Sequence, residues 1–176
     1  MIKLSEFKSK ITQLARPNRF RVEIHLSDSL KGVGKFSEDY QYTVQGAVIP
    51  NRTQGSIPIK YYGRIGYLPG DYEHQDLTLT FINTWDWKVR RFFEEWMGTI
   101  QVVVPYNDNN FFKSLDVIGK TTIKVHQLGN NGETGANQTY TFYNVFPKEL
   151  SEIKLSMDNE NSIETFDVTF AYSEWY

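Results

Sequence analysis

Between Ile163 and Tyr172 the side chains alternate with a period of two. Phe166, Val168, Phe170 and Tyr172 fall on one side, and Ile163, Thr165, Asp167, Thr169 and Ala171 on the other. That period belongs to an extended strand with one dry and one wet face, because successive Cβ atoms of a strand point in opposite directions. Such a strand needs neighbours for its backbone groups and a second layer over its apolar face. Just upstream, Ile153, Leu155 and Met157 alternate with Glu152, Lys154 and Ser156. Asp158 to Asn161 then supply a turn, since Asn and Asp tolerate left-handed backbone. The pattern predicts a C-terminal hairpin over residues 152–173. Before it, Tyr140 to Phe146 is rich in aromatic and β-branched residues and is expected to stop at Pro147, which has no N–H to give to a ladder.

The same period recurs along the chain. Phe20, Val22, Ile24 and Leu26 alternate with Arg21, Glu23 and His25; Leu77, Leu79 and Phe81 with Thr78, Thr80 and Ile82; Thr121, Ile123 and Val125 with Thr122, Lys124 and His126. Tyr40, Tyr42 and Val44 are expected to open a further strand, and Ile100 to Val104 a short one closed by Pro105. Phe111, Phe112 and Leu115 would anchor the connection that follows. Two stretches have helical spacing instead. Leu4, Phe7, Ile11 and Leu14 predict a short amphipathic helix near residues 3–15, stopped by Pro17 and in need of a surface to lie on. Trp85, Val89, Phe92, Phe93 and Trp96 share a face over residues 85–97, with Asn83 or Thr84 as the cap and Gly98 as the stop. The aromatic stripe is core rather than a cofactor platform. The expected fold is therefore mainly β (α+β), an antiparallel sandwich or barrel-like single domain over residues 1–176 with one amphipathic helix packed outside.

One segment fits neither pattern. Residues 50–71 contain four glycines, three prolines and three tyrosines. Ile57, Ile59 and Tyr61 alternate with Pro58 and Lys60, followed by Tyr62 and Tyr67. This is too apolar for a linker and too interrupted for a central strand. It predicts a projecting hairpin or interaction arm, with a long loop folded on its own domain as the alternative.

Sites of chemistry are scarce. The chain has no cysteine, which removes disulfides, thiolate metal sites and cysteine nucleophiles. His25, His74 and His126 lie in separate elements. The Asp71, Glu73, His74 and Asp76 cluster matches no cation loop of known spacing. Gly32-Val33-Gly34-Lys35 resembles the end of a phosphate loop, but Ser29 stands for its first glycine and Phe36 for the residue that would hold magnesium. No catalytic, cofactor or metal residue is assigned, and no enzyme is expected. With 19 basic and 21 acidic side chains, there is no basic field to bind nucleic acid by counterion release. No apolar run reaches the roughly 20 residues of a membrane span, and the N-terminus lacks a signal peptide's core, so a soluble compartment is expected.

Several stretches together resemble the tail tube proteins of T4-like contractile-tailed phages: Arg16-Pro17-Asn18-Arg19-Phe20 entering the first strand, Ala47-Val48-Ile49-Pro50, Gly70-Asp71, Tyr143 to Pro147, and Thr165 to Trp175. The resemblance implies subunits that complete a large β-barrel on hexamerisation, in rings stacked into the inner tube of a virion tail assembled in the host cytoplasm. It implies as partners the chain itself, a tail sheath protein, a tape-measure protein and a baseplate tube initiator, with DNA passing without specific binding. Thr165, Asp167 and Thr169 would face the lumen, and Ile57, Ile59, Tyr61, Tyr62 and Tyr67 would bridge subunits or rings. A tube-initiating baseplate protein, an injection-system tube protein and, in another class, a monomeric β-barrel for a small apolar ligand are the alternatives.

Overall fold

In a computed structural model of the chain, residues 4, 15–33, 36, 38–103, 120–129, 136–157 and 162–176 are described. The expected N-terminal helix apart from residues 4 and 15, the connection anchored by Phe111, Phe112 and Leu115, and most of the turn after Gly129 lie outside these residues. Among the described residues ten strands form two four-stranded sheets and a separate hairpin, and every pair is antiparallel. The first sheet has the order β1 (Phe20–His25), β6 (Thr122–Leu128), β7 (Ala136–Tyr143), β10 (Glu174–Trp175). The second has the order β2 (Val44–Val48), β5 (Leu77–Ile82), β9 (Thr165–Ala171), β8 (Phe146–Leu150). The hairpin is β3 (Arg52–Tyr61) with β4 (Arg64–His74).

Both sheets and one helix, Lys88–Val103, contribute to a single apolar cluster. Alternation places Leu77, Leu79 and Phe81 of β5 and Phe166, Val168 and Phe170 of β9 on one buried face. The helix lays Val89, Phe92, Phe93 and Trp96 on that face. The rings of Phe81 and Phe93 are 4.8 Å apart and those of Trp96 and Phe170 6.0 Å. Val22, Ile24, Ile123, Val125 and Phe142 fill the cluster from the first sheet. Among the described residues no helix is long and apolar enough to cross a membrane.

Four expectations are corrected. Pro147 lies inside β8 rather than ending a strand; β8 is an edge of its sheet, where a missing N–H is tolerated. Residues 151–156 are not a strand, so the C-terminal hairpin is β8–β9 with a long connection, and Leu155, Met157 and Ile163 are exposed. The helix runs through Gly98 to Val103 in place of the strand expected from Ile100, with Ile100 packed against the core. Tyr40 belongs to a helical turn, Glu38–Gln41, and the next strand begins at Val44.

The helix also starts later than its spacing suggests, at Lys88, because Trp87 is left-handed (φ 56) and a helix cannot pass through such a residue. Trp85 consequently points away from the core. The cap is neither Asn83 nor Thr84 but Asp86. Its Oδ1 accepts hydrogen bonds from the Thr84 hydroxyl (2.6 Å) and the Lys88 amide (3.3 Å), and Lys88 Nζ lies 2.8 Å from Oδ2. The Lys88 ammonium, then Thr84, hold the Asp86 carboxyl down from 3.8 to about 2. A depressed folded pKa gives a contribution fully present above the unfolded value and lost as pH falls through the folded one. The start of the helix is expected to loosen between about pH 4 and about pH 2, read from the Asp86 carboxyl and Lys88 amide NMR shifts. A carboxyl that titrates at its ordinary value would mean that the cap does not form in solution.

Candidate functional site: an open sheet face and a projecting hairpin

The helix covers only one face of the second sheet. On the other, the register sets Thr78 opposite Thr169, Thr80 opposite Asp167 and Ile82 opposite Thr165. Thr165 and Asp167 are exposed and Thr169 is half-buried. Asp167 is the one charge this face carries across β5 and β9, and its Oδ1 accepts a hydrogen bond of 2.6 Å from the Thr80 hydroxyl. Thr80 and Thr78 complete the polar surface, yet sequence reading did not single them out, because the register that brings them to Asp167 is non-local. From β2, Gly46 pairs with Thr80 and Val48 with Thr78. The order of strands leaves β2 and β8 as sheet edges, each with one row of backbone groups turned away from the sheet.

The expected arm is a two-stranded hairpin outside both sheets, its strands 10 and 11 residues long. At about 3.3 Å per residue it reaches about 30 Å. Tyr62 (φ 45) and Gly63 (φ 75) form its tip, the doubly left-handed two-residue turn that matches the twist of an antiparallel pair. The register pairs Ile57 with Leu68, Ile59 with Gly66 and Tyr61 with Arg64 on one face, and Pro58 with Tyr67 and Lys60 with Ile65 on the other. Ile57, Ile59, Tyr61, Tyr62 and Tyr67 are thus brought together on one element, and all are exposed. Near the base the ladder is irregular, and a Cβ on Gly70 would come within 3.0 Å of the Gly55 backbone, so the bend there depends on two glycines in close approach.

The arm is seated on the C-terminal residues. Arg52 lies over the Trp175 indole at 4.7 Å and donates to the Trp175 carbonyl at 3.0 Å. His74 stacks on Tyr172 at 4.4 Å. The Tyr172 hydroxyl donates to the Gln75 carbonyl at 2.7 Å. Burial, reinforced by Asp76, pushes this phenol up to about 12, so it remains a donor across the neutral range. Asp76 itself pairs with Lys148 at 2.7 Å. Of the cluster read in the sequence, His74 and Asp76 thus turn to separate partners.

A sequence profile of phage tail tube proteins matches residues 15–176. The chain belongs to the phage tail tube protein family. Tail tube protein gp19 of Enterobacteria phage T4 is 24% identical over 161 residues, spanning 92% of this chain and 90% of that protein. The same protein of Enterobacteria phage T6 matches equally. Among solved structures, the sheath-tube complex of the PVC extracellular contractile injection system in its extended state shares the fold. Its TM-score is 0.62 at 15% identity, over 100% of this chain and 97% of that one. The anti-feeding prophage tube-terminating cap gives a TM-score of 0.65 at 16% identity, over 93% and 89%. As a member of that family the protein is a structural phage tail tube protein, and it shares its fold with these chains of contractile injection systems. As family members, such proteins are virion components of phages.

Proposed function

We propose that copies of this tail tube protein join through the β2 and β8 edges into hexameric rings, and that stacked rings form the hollow inner tube of a contractile tail. The observation that carries this reading is the second sheet: one face sealed by the helix, the other polar and open, and, among the described residues, no strand beyond either edge. Closing a sheet on itself removes its edges. The open face would then line the lumen, with Thr165, Asp167 and Thr169 presented to passing DNA. A lining with a carboxylate and no Lys or Arg across β5 and β9 lets phosphates slide, since each basic contact would hold one. The projecting hairpin would bridge to the next ring. A sheath outside, a tape-measure protein within and a baseplate initiator at one end are the expected partners, assembly takes place in the host cytoplasm, and the subunit has no catalytic role.

Negative-stain electron microscopy of the concentrated protein, with light scattering for mass, is expected to show hollow cylinders of stacked rings. A monomer that ignores even a baseplate nucleus would overturn the reading. In a reconstructed tube, the Asp167 carboxylate is expected in the lumen, and Asp167→Arg tubes are expected to retain DNA at low salt that wild-type tubes release. A carboxylate enclosed between sheets, or equal DNA retention, would remove the lumen assignment.

A further inference from the structure

The arm and the connection between β8 and β9 leave the second sheet at opposite ends. β2 runs toward the arm, and Val48 at its end pairs with Thr78 at the start of β5. Leu77 in turn pairs with Phe170 near the end of β9, so the arm emerges beside the last residues of that strand. The other end is marked by Ile82 opposite Thr165, and there Ser151 and Glu164 bound the β8–β9 connection.

That far end carries apolar side chains that stand exposed among the described residues. Met157 is 100% exposed, Leu155 75% and Ile163 72%. A groove runs between the outgoing and incoming segments, bounded by Ile153, Leu155, Ile163 and Phe166. The turn before the helix adds Trp85, 94% exposed, and is tied to the connection by Asn83, whose amide and side-chain nitrogens donate to the Glu164 carbonyl at 2.9 Å and carboxylate at 2.6 Å. Arg90 donates to the Ser151 carbonyl at 3.1 Å, and the Ser151 hydroxyl accepts from the Asp167 amide at 2.9 Å, so the base of the groove is held in place.

Charge identifies the occupant. The arm carries Arg52, Lys60 and Arg64, and its two acids, Asp71 and Glu73, lie at the base beyond Gly70, so the outer part of the hairpin has no acid. Arg52 is engaged at the base by Trp175, which leaves Lys60 and Arg64 at the tip among exposed aromatic and aliphatic groups. The described residues around the groove carry Glu94, Glu152, Glu164 and Asp167 against Arg90 and Lys154; Glu94 pairs with Arg90 at 3.0 Å and Glu152 with Lys154 at 3.2 Å, which leaves Glu164 and Asp167 as the acidic excess. Two arms meeting tip to tip would repel, whereas an arm on the groove pairs both charge and apolar surface. We infer that the hairpin tip of one copy docks on the Leu155, Met157, Ile163 and Trp85 surface of a second copy, at the opposite end of its sheet. Such a contact between two different surfaces is heterologous and propagates along an open stack. The inference rests on the tube reading and names the receiving surface for its ring-to-ring contact.

Three variants of the full chain, compared with wild type by sedimentation and electron microscopy, test it. Lys60→Glu/Arg64→Glu and, separately, Glu152→Lys/Met157→Lys place like charges in the contact. Each is expected to lower the sedimentable fraction at least about tenfold while keeping wild-type circular dichroism. Combining all four substitutions restores opposite charges and is expected to restore tubes. Wild-type protein that never forms tubes overturns the tube reading and this inference with it. Wild-type tubes together with normal elongation of the groove variant, or no recovery in the combined variant, overturn this inference alone.

Discussion

Phe93→Ala is expected to destabilise the unassembled subunit by about 3–5 kcal/mol, the usual cost of truncating a buried aromatic in a core that cannot collapse around the cavity. Phe93 is fully buried at the junction of helix and sheet. Its ring lies 4.8 Å from Phe81, 5.1 Å from Phe92, 6.0 Å from Phe170, and 6.3 Å from both Phe166 and Trp96. Among the described residues no other ring touches both central strands of the second sheet and two further aromatic residues of the helix, so removing it opens a void walled by rigid groups. At about 2–4 °C per kcal/mol for a chain of this size, the melting temperature should fall by roughly 6–20 °C. Calorimetry should be run below the assembly concentration, because self-association stabilises the folded state by mass action. A loss under about 1 kcal/mol would mean that the helix does not pack as described. It would also undermine the claim that only one face of the sheet is available to a lumen.

The strands of β1, β5, β6 and β9 were legible because half-buried antiparallel strands write their burial as a period of two. So was the buried face of the helix from Val89 to Trp96. Residues 151–157 have the same period and are not a strand. Both sides of β9 are already occupied, by β5 and by β8, so this segment has no edge of β9 left to join. Pairing of that kind is decided by the whole fold and leaves no local mark. Pro147 misled for a related reason: proline excludes a central strand but not an edge, and edges are defined only by the sheet. Gly98 signals a stop on propensity alone, at about 1 kcal/mol against continuing, a preference that the docking of Ile100 outweighs. At the candidate site, Thr165, Asp167 and Thr169 were readable as a wet face. Thr80, 87 positions before the Asp167 that accepts its hydrogen bond, was not. The hairpin was legible in the glycines, prolines and tyrosines of residues 50–71 and in the alternation of Ile57, Ile59 and Tyr61 with Pro58 and Lys60. Its proposed receiving surface was not, since Leu155 and Met157 carry the same alternation as a core strand.

Replacing Gln54–Tyr72 by Asn-Gly is expected to abolish tubes while leaving the subunit folded. The register sets Thr53 opposite Glu73, so a two-residue turn closes the shortened hairpin where the ladder is already paired. Arg52 and His74, which seat the arm on Trp175 and Tyr172, are retained. The deleted residues bond mainly to one another and contribute nothing to the central cluster, so stability should change by no more than about 0.5 kcal/mol. Assembly should respond very differently. A lone two-stranded hairpin is marginal in water, and this one exposes apolar groups on both faces, an arrangement that becomes favourable when a partner covers it. Burying Ile57, Ile59, Tyr61, Tyr67 and Leu68 would contribute about 1.5–3 kcal/mol each before the ordering costs of association. Even a fraction of that sum weakens each ring-to-ring contact by more than about a hundredfold. Near-ultraviolet circular dichroism and thermal melting separate a folded, non-stacking subunit from a misfolded one. Deleted protein that builds tubes at wild-type concentrations would show that the arm is not the bridge and that rings adhere through the sheet ends alone.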